Sequence, residues 1–181
     1  GIATTDTAAA LRNSAGSTER TFDVDLVNNA TGAPPSDGVA DASGTHFINL
    51  GSLITSRDNI RQGVADLIKL TKTLGAGDPL VVSGAAVDID SSRIHYVGHS
   101  LGGIVGTTFL GVNTDIKHSV LAMPGGGIAK LLDGSPTFGP RIAAGLAASG
   151  ITEGTENYET FLRFAQTLVD AADPVNYAST A

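Results

Sequence analysis

The sequence predicts an α/β domain in which helices flank a parallel sheet. An apolar run at 94–97 leads into a helix-forming stretch from about Leu101 to Leu110, and a second apolar run follows at 119–123. A strand, a helix and a second strand joined this closely form a βαβ unit with parallel strands. Continuous apolar runs are typical of parallel strands that are buried on both faces.

Composition is that of a folded domain and excludes several classes of function. The chain has 181 residues, of which 41% are hydrophobic and 16% charged, enough for one core. A net charge of −7 with only 11 Lys and Arg argues against nucleic acid and against an anionic membrane surface. There is no cysteine, and the four histidines lack metal-binding spacing, so neither a metal nor a cofactor is predicted.

The N-terminal part is predicted to contain little regular structure. Residues 1–16 lack the basic and apolar regions of a signal peptide, so if the natural protein is exported, its signal is expected outside this chain. Residues 21–27 alternate as a short strand or extended lead-in, and 28–45 predict a long surface loop. Asp37, Gly38 and Asp41 match part of a calcium loop, but the full spacing is missing, so a loop of Asx turns is favoured.

Five further segments follow from periodicity and turn residues. A helix is predicted at 52–75, capped by Thr55 or Ser56, and a loop is expected between it and the strand at 94–97. After Met123 the chain is predicted to be loop-like to about residue 140. Two amphipathic helices are then expected near 140–149 and 156–171, the second stopped by Asp173-Pro174.

The segment from Gly98 to Gly102, GHSLG, matches the motif G-x-S-x-G between a strand and a helix. In this context the motif predicts a nucleophile elbow, a strained turn that exposes the Ser100 hydroxyl. Gly98 and Gly102 are expected because a side chain at either position would collide with the neighbouring strand or helix. The alternative is a glycine-rich turn in another kind of doubly wound protein.

Residues around the serine receive supporting roles. The Leu101 N–H, at the helix N-terminus, is predicted to donate to an oxyanion. Gly103 is expected to let the helix approach the sheet closely. His99 is expected to pack under the sheet and not to act as a base, since neighbours in a tight turn diverge.

The stretch VGHSLGG, within SRIHYVGHSLGGIVGTTFL, resembles bacterial α/β-hydrolases of the extracellular lipase and esterase kind. FINLGSLITSRDNIRQGVADL and FAQTLVDAADPVNYA extend the resemblance over nearly the whole chain. It implies a partial α/β-hydrolase fold, a parallel sheet with flanking helices plus a helical lid segment. It also implies an extracellular or cell-envelope location and hydrolysis of small-molecule or lipid esters through an acyl-enzyme on Ser100.

The resemblance also divides the chain. Residues 1–123 would be a hydrolase core fragment with the elbow, 124–172 a lid, and 173–181 a lead-out to further core. Within the lid, residues 124–150 are expected to be a mobile cover that lies outside the core, because three consecutive glycines begin it. Its apolar, substrate-lining underside would comprise Ile128, Leu131, Leu132 and Phe138.

The catalytic partners of Ser100 are missing from the predicted arrangement. In this fold the acid and then the histidine follow the serine, and the histidine that follows is His118. His118 begins the second strand whereas Ser100 ends the first, so a strand of about 17 Å separates them, beyond the reach of about 3 Å that a base requires. Asp133, Asp170 and Asp173 fall in the lid or a helix, and His95 is expected in the core.

Three interpretations remain. The chain is a piece of an ester hydrolase whose acid, base and second oxyanion donor lie on flanking polypeptide, its partner; alone it would be inactive. Alternatively it is a non-catalytic remnant or interaction module that keeps the elbow for structural reasons. A complete enzyme with an unusual dyad is disfavoured by the geometry above.

Overall fold

The computed structural model describes residues 25–41, 44, 46–77, 80–82 and 85–181. They belong to two compact units. The described part of the first unit lies within 25–48 and 80–89, and the second unit comprises 49–77 and 90–181. Of the strand expected at 21–27, residues 21–24 lie outside the described part, and the remaining three are not in a strand.

The first unit contains an antiparallel hairpin in addition to its loop. Strand β1 (Leu80–Val82) pairs with β2 (Ala85–Val87), with Leu80 opposite Val87. The expectation of a continuous loop here was wrong, because two short apolar triplets separated by two residues can pair as a hairpin. Residues 28–41 form turns, with one bridge between Asn28 and Ala33.

The second unit holds five α-helices, two strands and two short 3-10 turns in its described residues. In chain order they are α1 (Leu53–Gly75), β3 (Tyr96–His99), α2 (Leu101–Val112), β4 (Ser119–Ala122), α3 (Ile128–Asp133), α4 (Gly139–Ala147), α5 (Glu156–Val169) and the 3-10 turns Asp170–Ala172 and Pro174–Asn176. Helix α1 packs against both α2 and α5. This packing places the core of the unit between them.

Helix α1 begins one turn earlier than its predicted cap. Ser52 is the N-cap, and its side chain accepts a hydrogen bond from the Thr55 amide. Ser56, one of the two expected caps, is instead buried, where its hydroxyl bonds to both backbone groups of Asn49. Ile60 and Val64 continue the same buried stripe toward the core.

The predicted βαβ unit is confirmed. Strands β3 and β4 are parallel, with Tyr96 opposite Ser119 and His99 opposite Ala122, and α2 connects them. Most of α2 is buried from Gly103 onward. The second unit is therefore a mixed α/β structure, with a small parallel sheet of two strands and flanking helices.

One face of this sheet is open, which the apolar strands did not predict. Val97 is 76% exposed and its neighbour Val120 is 60% exposed. Successive strand residues alternate between faces, and Tyr96 and Gly98 point toward α2, so Val97 lies on the other side. Burial on both faces was thus a wrong expectation. The same holds for His95, which is exposed on the open face and not in the core.

The segment after β4 contains more helix and more buried residues than its composition predicted. Helices α4 and α5 lie within two residues of their predicted bounds. Helix α3, however, falls where a loop was expected, and its first two residues, Ile128 and Ala129, are buried. The expectation that residues 124–150 lie outside the core was therefore wrong for this part.

Asp173 explains why the short helix α3 forms. Its side chain is completely buried and accepts four hydrogen bonds, two at each carboxylate oxygen. The donors are the amides of Gly127 (2.9 Å), Ile128 (2.7 Å) and Val175 (2.9 Å) and the Gln166 side chain (2.7 Å). Burial opposes ionisation of Asp173, but these hydrogen bonds outweigh it and lower the pKa of the carboxyl. The carboxylate thus caps α3 from a distant part of the chain.

Candidate active site

Ser100 occupies a strained backbone conformation between β3 and α2. Its φ of 53° and ψ of −117° lie in a region that costs a residue with a side chain about 1–3 kcal/mol. The Ser100 amide donates to the Ala122 carbonyl at 3.0 Å, and the Ser100 carbonyl accepts from Gly103 (2.8 Å) and Ile104 (3.0 Å). Ser100 is exposed, so the turn presents its hydroxyl where a strand ends and a helix begins.

The glycines around Ser100 have different steric roles. A Cβ on Gly98 would collide with the carbonyl group of Gly102, and one on Gly103 would lie 3.1 Å from Pro124 Cα. Both glycines therefore permit close backbone approach. A Cβ on Gly102 would meet no heavy atom within 4 Å. The expected collision at Gly102 was wrong, because that position faces open space.

Tyr96 supports the turn from below, a role that sequence reasoning missed. Its hydroxyl donates to the Gly102 carbonyl at 2.6 Å, and burial raises the pKa of Tyr96, which keeps it a donor. Its ring lies against Gly106 and 5.5 Å from the Phe109 ring, centroid to centroid. Tyr96 thus couples the elbow to the buried face of α2.

The N-terminus of α2 supplies positive electrostatic potential beside Ser100. Leu101 is the first residue of this 12-residue helix, and amides in the first turn have no partner within their helix. The Leu101 N–H and the positive end of the helix dipole are therefore available to a developing oxyanion.

None of the histidines near the sheet reaches Ser100 as a base. The His118 carbonyl accepts from the Tyr96 amide at 3.2 Å, and the His118 ring lies 5.4 Å from that of His95. Both rings are thus at the N-terminal edge, about 13 Å of strand away from Ser100. His99 is exposed, which corrects the expectation that it packs under the sheet. Within the described part of the chain, no hydrogen bond joins a side chain to Ser100 Oγ.

The three aspartates considered above as partners of Ser100 have other roles or environments. Asp133 accepts a hydrogen bond from the Tyr158 hydroxyl at 2.6 Å. Burial, together with this carboxylate, raises the pKa of Tyr158 to about 12. Asp170 is exposed at the end of α5. Both carboxylate oxygens of Asp173 are already occupied by the four hydrogen bonds described above. None of them orients a histidine.

A carboxylate–imidazole pair does occur in the first unit. His46 Nε2 lies 2.6 Å from Asp41 Oδ2, and Asp41 is only 3% exposed. The hydrogen bond with His46, followed by one from the Leu26 amide, lowers the pKa of Asp41. Such a pairing fixes the orientation of an imidazole ring. An Asp and a His five residues apart in a loop carry no distinctive sequence signal, and the pair was not predicted.

The predicted lid-lining residues occupy different environments. Ile128 is 5% exposed and belongs to the core, whereas Leu131 is 40% exposed, and a Cβ on Gly125 would lie 2.9 Å from its Cδ2. Leu132 and Phe138 are half-buried. Leu132 alone of these four residues lines an apolar cavity among the helices, which is described below.

The acidic loop in the first unit is organised by its own backbone. Asp37 accepts hydrogen bonds from the amides of Asn29 and Val39, and Asp25 accepts from those of Asp37 and Gly38. The bond from the Val39 amide to Asp37 closes an Asx turn, whereas the other three join residues 8 to 13 positions apart. Among the described residues, no group of three or more His, Asp or Glu side chains could hold a metal ion.

No helix in the described ranges has both the length and the apolar character that crossing a bilayer requires. A comparison of the chain with protein-family models, curated proteins and solved structures finds no match. The geometry around Ser100 is therefore the feature that indicates a function.

Proposed function

We propose that Ser100 is the nucleophile of a serine ester hydrolase, a carboxylesterase or lipase with an α/β-hydrolase fold. One observation carries the proposal. Ser100, a residue with a side chain, is held at a φ of 53° between a parallel strand and a helix N-terminus. A backbone strained in this way is characteristic of functional sites, and this combination of strand, turn and helix matches the nucleophile elbow.

The proposed reaction follows from the groups at the turn. Ser100 Oγ attacks the ester carbonyl carbon while a base takes its proton, and the resulting oxyanion accepts a hydrogen bond from the Leu101 N–H. The C–O bond to the alcohol then breaks while the protonated base returns its proton to the departing oxygen, which leaves an acyl-enzyme. Water, deprotonated by the same base, then attacks the acyl carbon, and the acid is released as the proton returns to Ser100 Oγ. We assign the base, its acidic partner and a second oxyanion donor to polypeptide beyond the 181 residues. Small-molecule or lipid esters at the cell envelope or outside the cell are the proposed substrates.

A fluorophosphonate probe tests the assignment of Ser100. In the longest natural polypeptide that contains this chain, mass spectrometry should find the probe on Ser100. Ser100→Ala should abolish labelling and lower ester turnover by about 10⁴-fold or more. Ser119 is an exposed serine at the other end of the sheet. Its variant Ser119→Ala is the matched control and should retain both labelling and ester turnover. Labelling that survives in Ser100→Ala would refute the assignment.

A second candidate function is that of a non-catalytic module that retains the elbow for structural reasons. It is favoured by the observation that no described side chain bonds to Ser100 Oγ. The two candidates separate in an assay with p-nitrophenyl acetate. As a hydrolase fragment, the 181-residue chain should turn over less than about a tenth as fast as the longer polypeptide. If the longer polypeptide is also inactive and unlabelled, the non-catalytic interpretation is correct.

A further inference from the structure

An apolar cavity of about 380 Å³ lies among the helices of the second unit. Its walls come from α3, α4, α5 and the residues at the start of α1, including Leu53, Leu132, Leu146 and Phe161. This volume falls within the roughly 300–1,000 Å³ that small-molecule sites occupy. Neither Ser100 nor any other elbow residue lines it. The cavity is therefore distinct from the proposed ester site.

The cavity has one charged lining residue, Arg141. The other eleven are Leu, Ile, Phe, Ala or Gly, so no carboxylate in the lining neutralises it. Cations on the two other wall helices α3 and α5 are engaged, since Lys130 pairs with Glu159 at 2.7 Å and Arg163 donates to Thr160 at 2.8 Å. Arg141, on the exposed first turn of α4, has no ion pair with any described residue.

We propose that this cavity binds a straight-chain monocarboxylate, with the alkyl chain among the apolar side chains and the carboxylate on Arg141. The guanidinium matches a carboxylate through two parallel hydrogen bonds. The apolar walls contribute affinity in proportion to the surface that the chain buries. The proposal does not depend on the hydrolase function, because it rests on the cavity and Arg141 alone.

Calorimetric titration of the 181-residue chain with decanoate tests this proposal. Decanoate should bind at one site per chain, and affinity should fall about fourfold for each methylene removed toward octanoate and hexanoate. Decanol should bind about three- to fivefold more weakly than decanoate, since Arg141 is exposed and its pairing is screened. Absence of saturable binding, or equal affinity for decanoate and decanol, would overturn the proposal.

Paired variants locate the ligand. Gly145→Leu should fill the cavity and abolish binding, and it should fold, because a Cβ on Gly145 meets no atom within 4 Å. Ala144→Leu, the adjacent position on α4 that does not line the cavity, should bind normally. A folded Gly145→Leu protein that binds decanoate like the original chain would show that the cavity is not the site.

One further pair of variants tests the role of charge, and a single variant tests whether binding is independent of the elbow. Arg141→Gln should remove the preference for decanoate over decanol, whereas Arg163→Gln, the same charge change on α5 outside the cavity, should keep it. Ser100→Ala should leave decanoate binding unchanged. If Ser100→Ala abolishes binding instead, the ligand occupies the elbow and the cavity proposal is wrong.

Discussion

Among the described residues, two with side chains, Ser100 and Met123, adopt positive φ angles of 53°. Ser100 follows β3 and Met123 follows β4, and the last residues of these strands lie opposite each other. The chain therefore places strain at both of its adjacent strand ends on the C-terminal edge of the sheet. Strain that is concentrated in this way is maintained only when the surrounding structure holds it, and here the Tyr96–Gly102 hydrogen bond contributes.

The strain at Ser100 should be measurable as stability. Ser100→Gly should raise the free energy of unfolding by about 1 kcal/mol, the strain relieved less the extra entropy of glycine in the unfolded chain. Ser100→Ala should give no gain, since alanine also has a Cβ. Urea denaturation of the three proteins makes the comparison. A larger gain for alanine than for glycine would contradict the strain argument.

The buried carboxylate of Asp173 should make a large contribution to stability. Asp173→Asn should lower the free energy of unfolding by about 2–3 kcal/mol. The NH₂ group of the asparagine would face N–H donors in place of a carboxylate oxygen that accepts from them. Asp170→Asn, on an exposed neighbour, should change it by less than about 0.5 kcal/mol. Equal effects of the two substitutions would show that the four hydrogen bonds of Asp173 do not stabilise the fold.

The same carboxylate predicts a direction of pH dependence. Because the pKa of Asp173 is lowered in the folded state, its stabilisation is complete above the unfolded value of about 3.9 and is lost as the pH falls through the lowered pKa. The stability difference between the original chain and Asp173→Asn should therefore be constant near neutral pH and shrink below about pH 4. Denaturation curves measured from pH 7 to pH 3 test this prediction. A stability difference that grows as the pH falls would contradict it.

At the scale of elements, the contact between α2 and the sheet depends on small residues. A Cβ on Gly106 would overlap the Tyr96 ring, so Gly106→Ala should destabilise the chain by about 1–3 kcal/mol. It should also displace the Tyr96 hydroxyl from Gly102 and slow labelling of Ser100. Gly145→Ala is the matched change in a helix with open space at the Cβ, and it should stabilise by up to about 1 kcal/mol. Thermal unfolding should show opposite signs for the two.

Elements with strong local signals were predicted from the sequence, and those held by distant residues were not. The strand–helix–strand unit around Ser100 and the helices α1, α4 and α5 follow from periodicity and turn residues. Helix α3 is only six residues long, too short to form without a partner. It depends on Asp173, which local periodicity cannot reveal. The role of Tyr96 was missed for the same reason.

At the scale of the whole molecule, the open sheet face leaves two large apolar side chains, Val97 and Val120, exposed. Replacing both Val97 and Val120 by threonine should raise solubility and lower binding of a hydrophobic dye. Stability should change by less than about 0.5 kcal/mol, since neither side chain is buried. Val105→Thr, the same chemical change in the core of α2, should cost about 1–2 kcal/mol. Loss of stability in the double variant would mean that this face is covered.

Burial is the property of this chain that sequence predicted least well. Val97 and Val120 are apolar, as strands with covered faces require, yet the described residues of their unit leave them exposed. An apolar side chain indicates what environment stabilises it, and not which polypeptide provides that environment. The same holds for the proposed active site: the turn at Ser100 is predicted by its immediate neighbours, whereas the proposed base and acid would come from elsewhere in space.

The Asp173 carboxylate also acts as a non-covalent cross-link. Its bond to the Gly127 amide joins residues 46 positions apart and so closes a loop that contains α3, α4 and α5. Opening that bond releases the configurational entropy of the whole loop, so the three helices should detach from the remaining structure together and not one at a time. Amide protons of Gly127, Ile128 and Val175 should consequently exchange with solvent at one common rate. A protease should cleave the stretch between α3 and α5 only as fast as this single opening occurs.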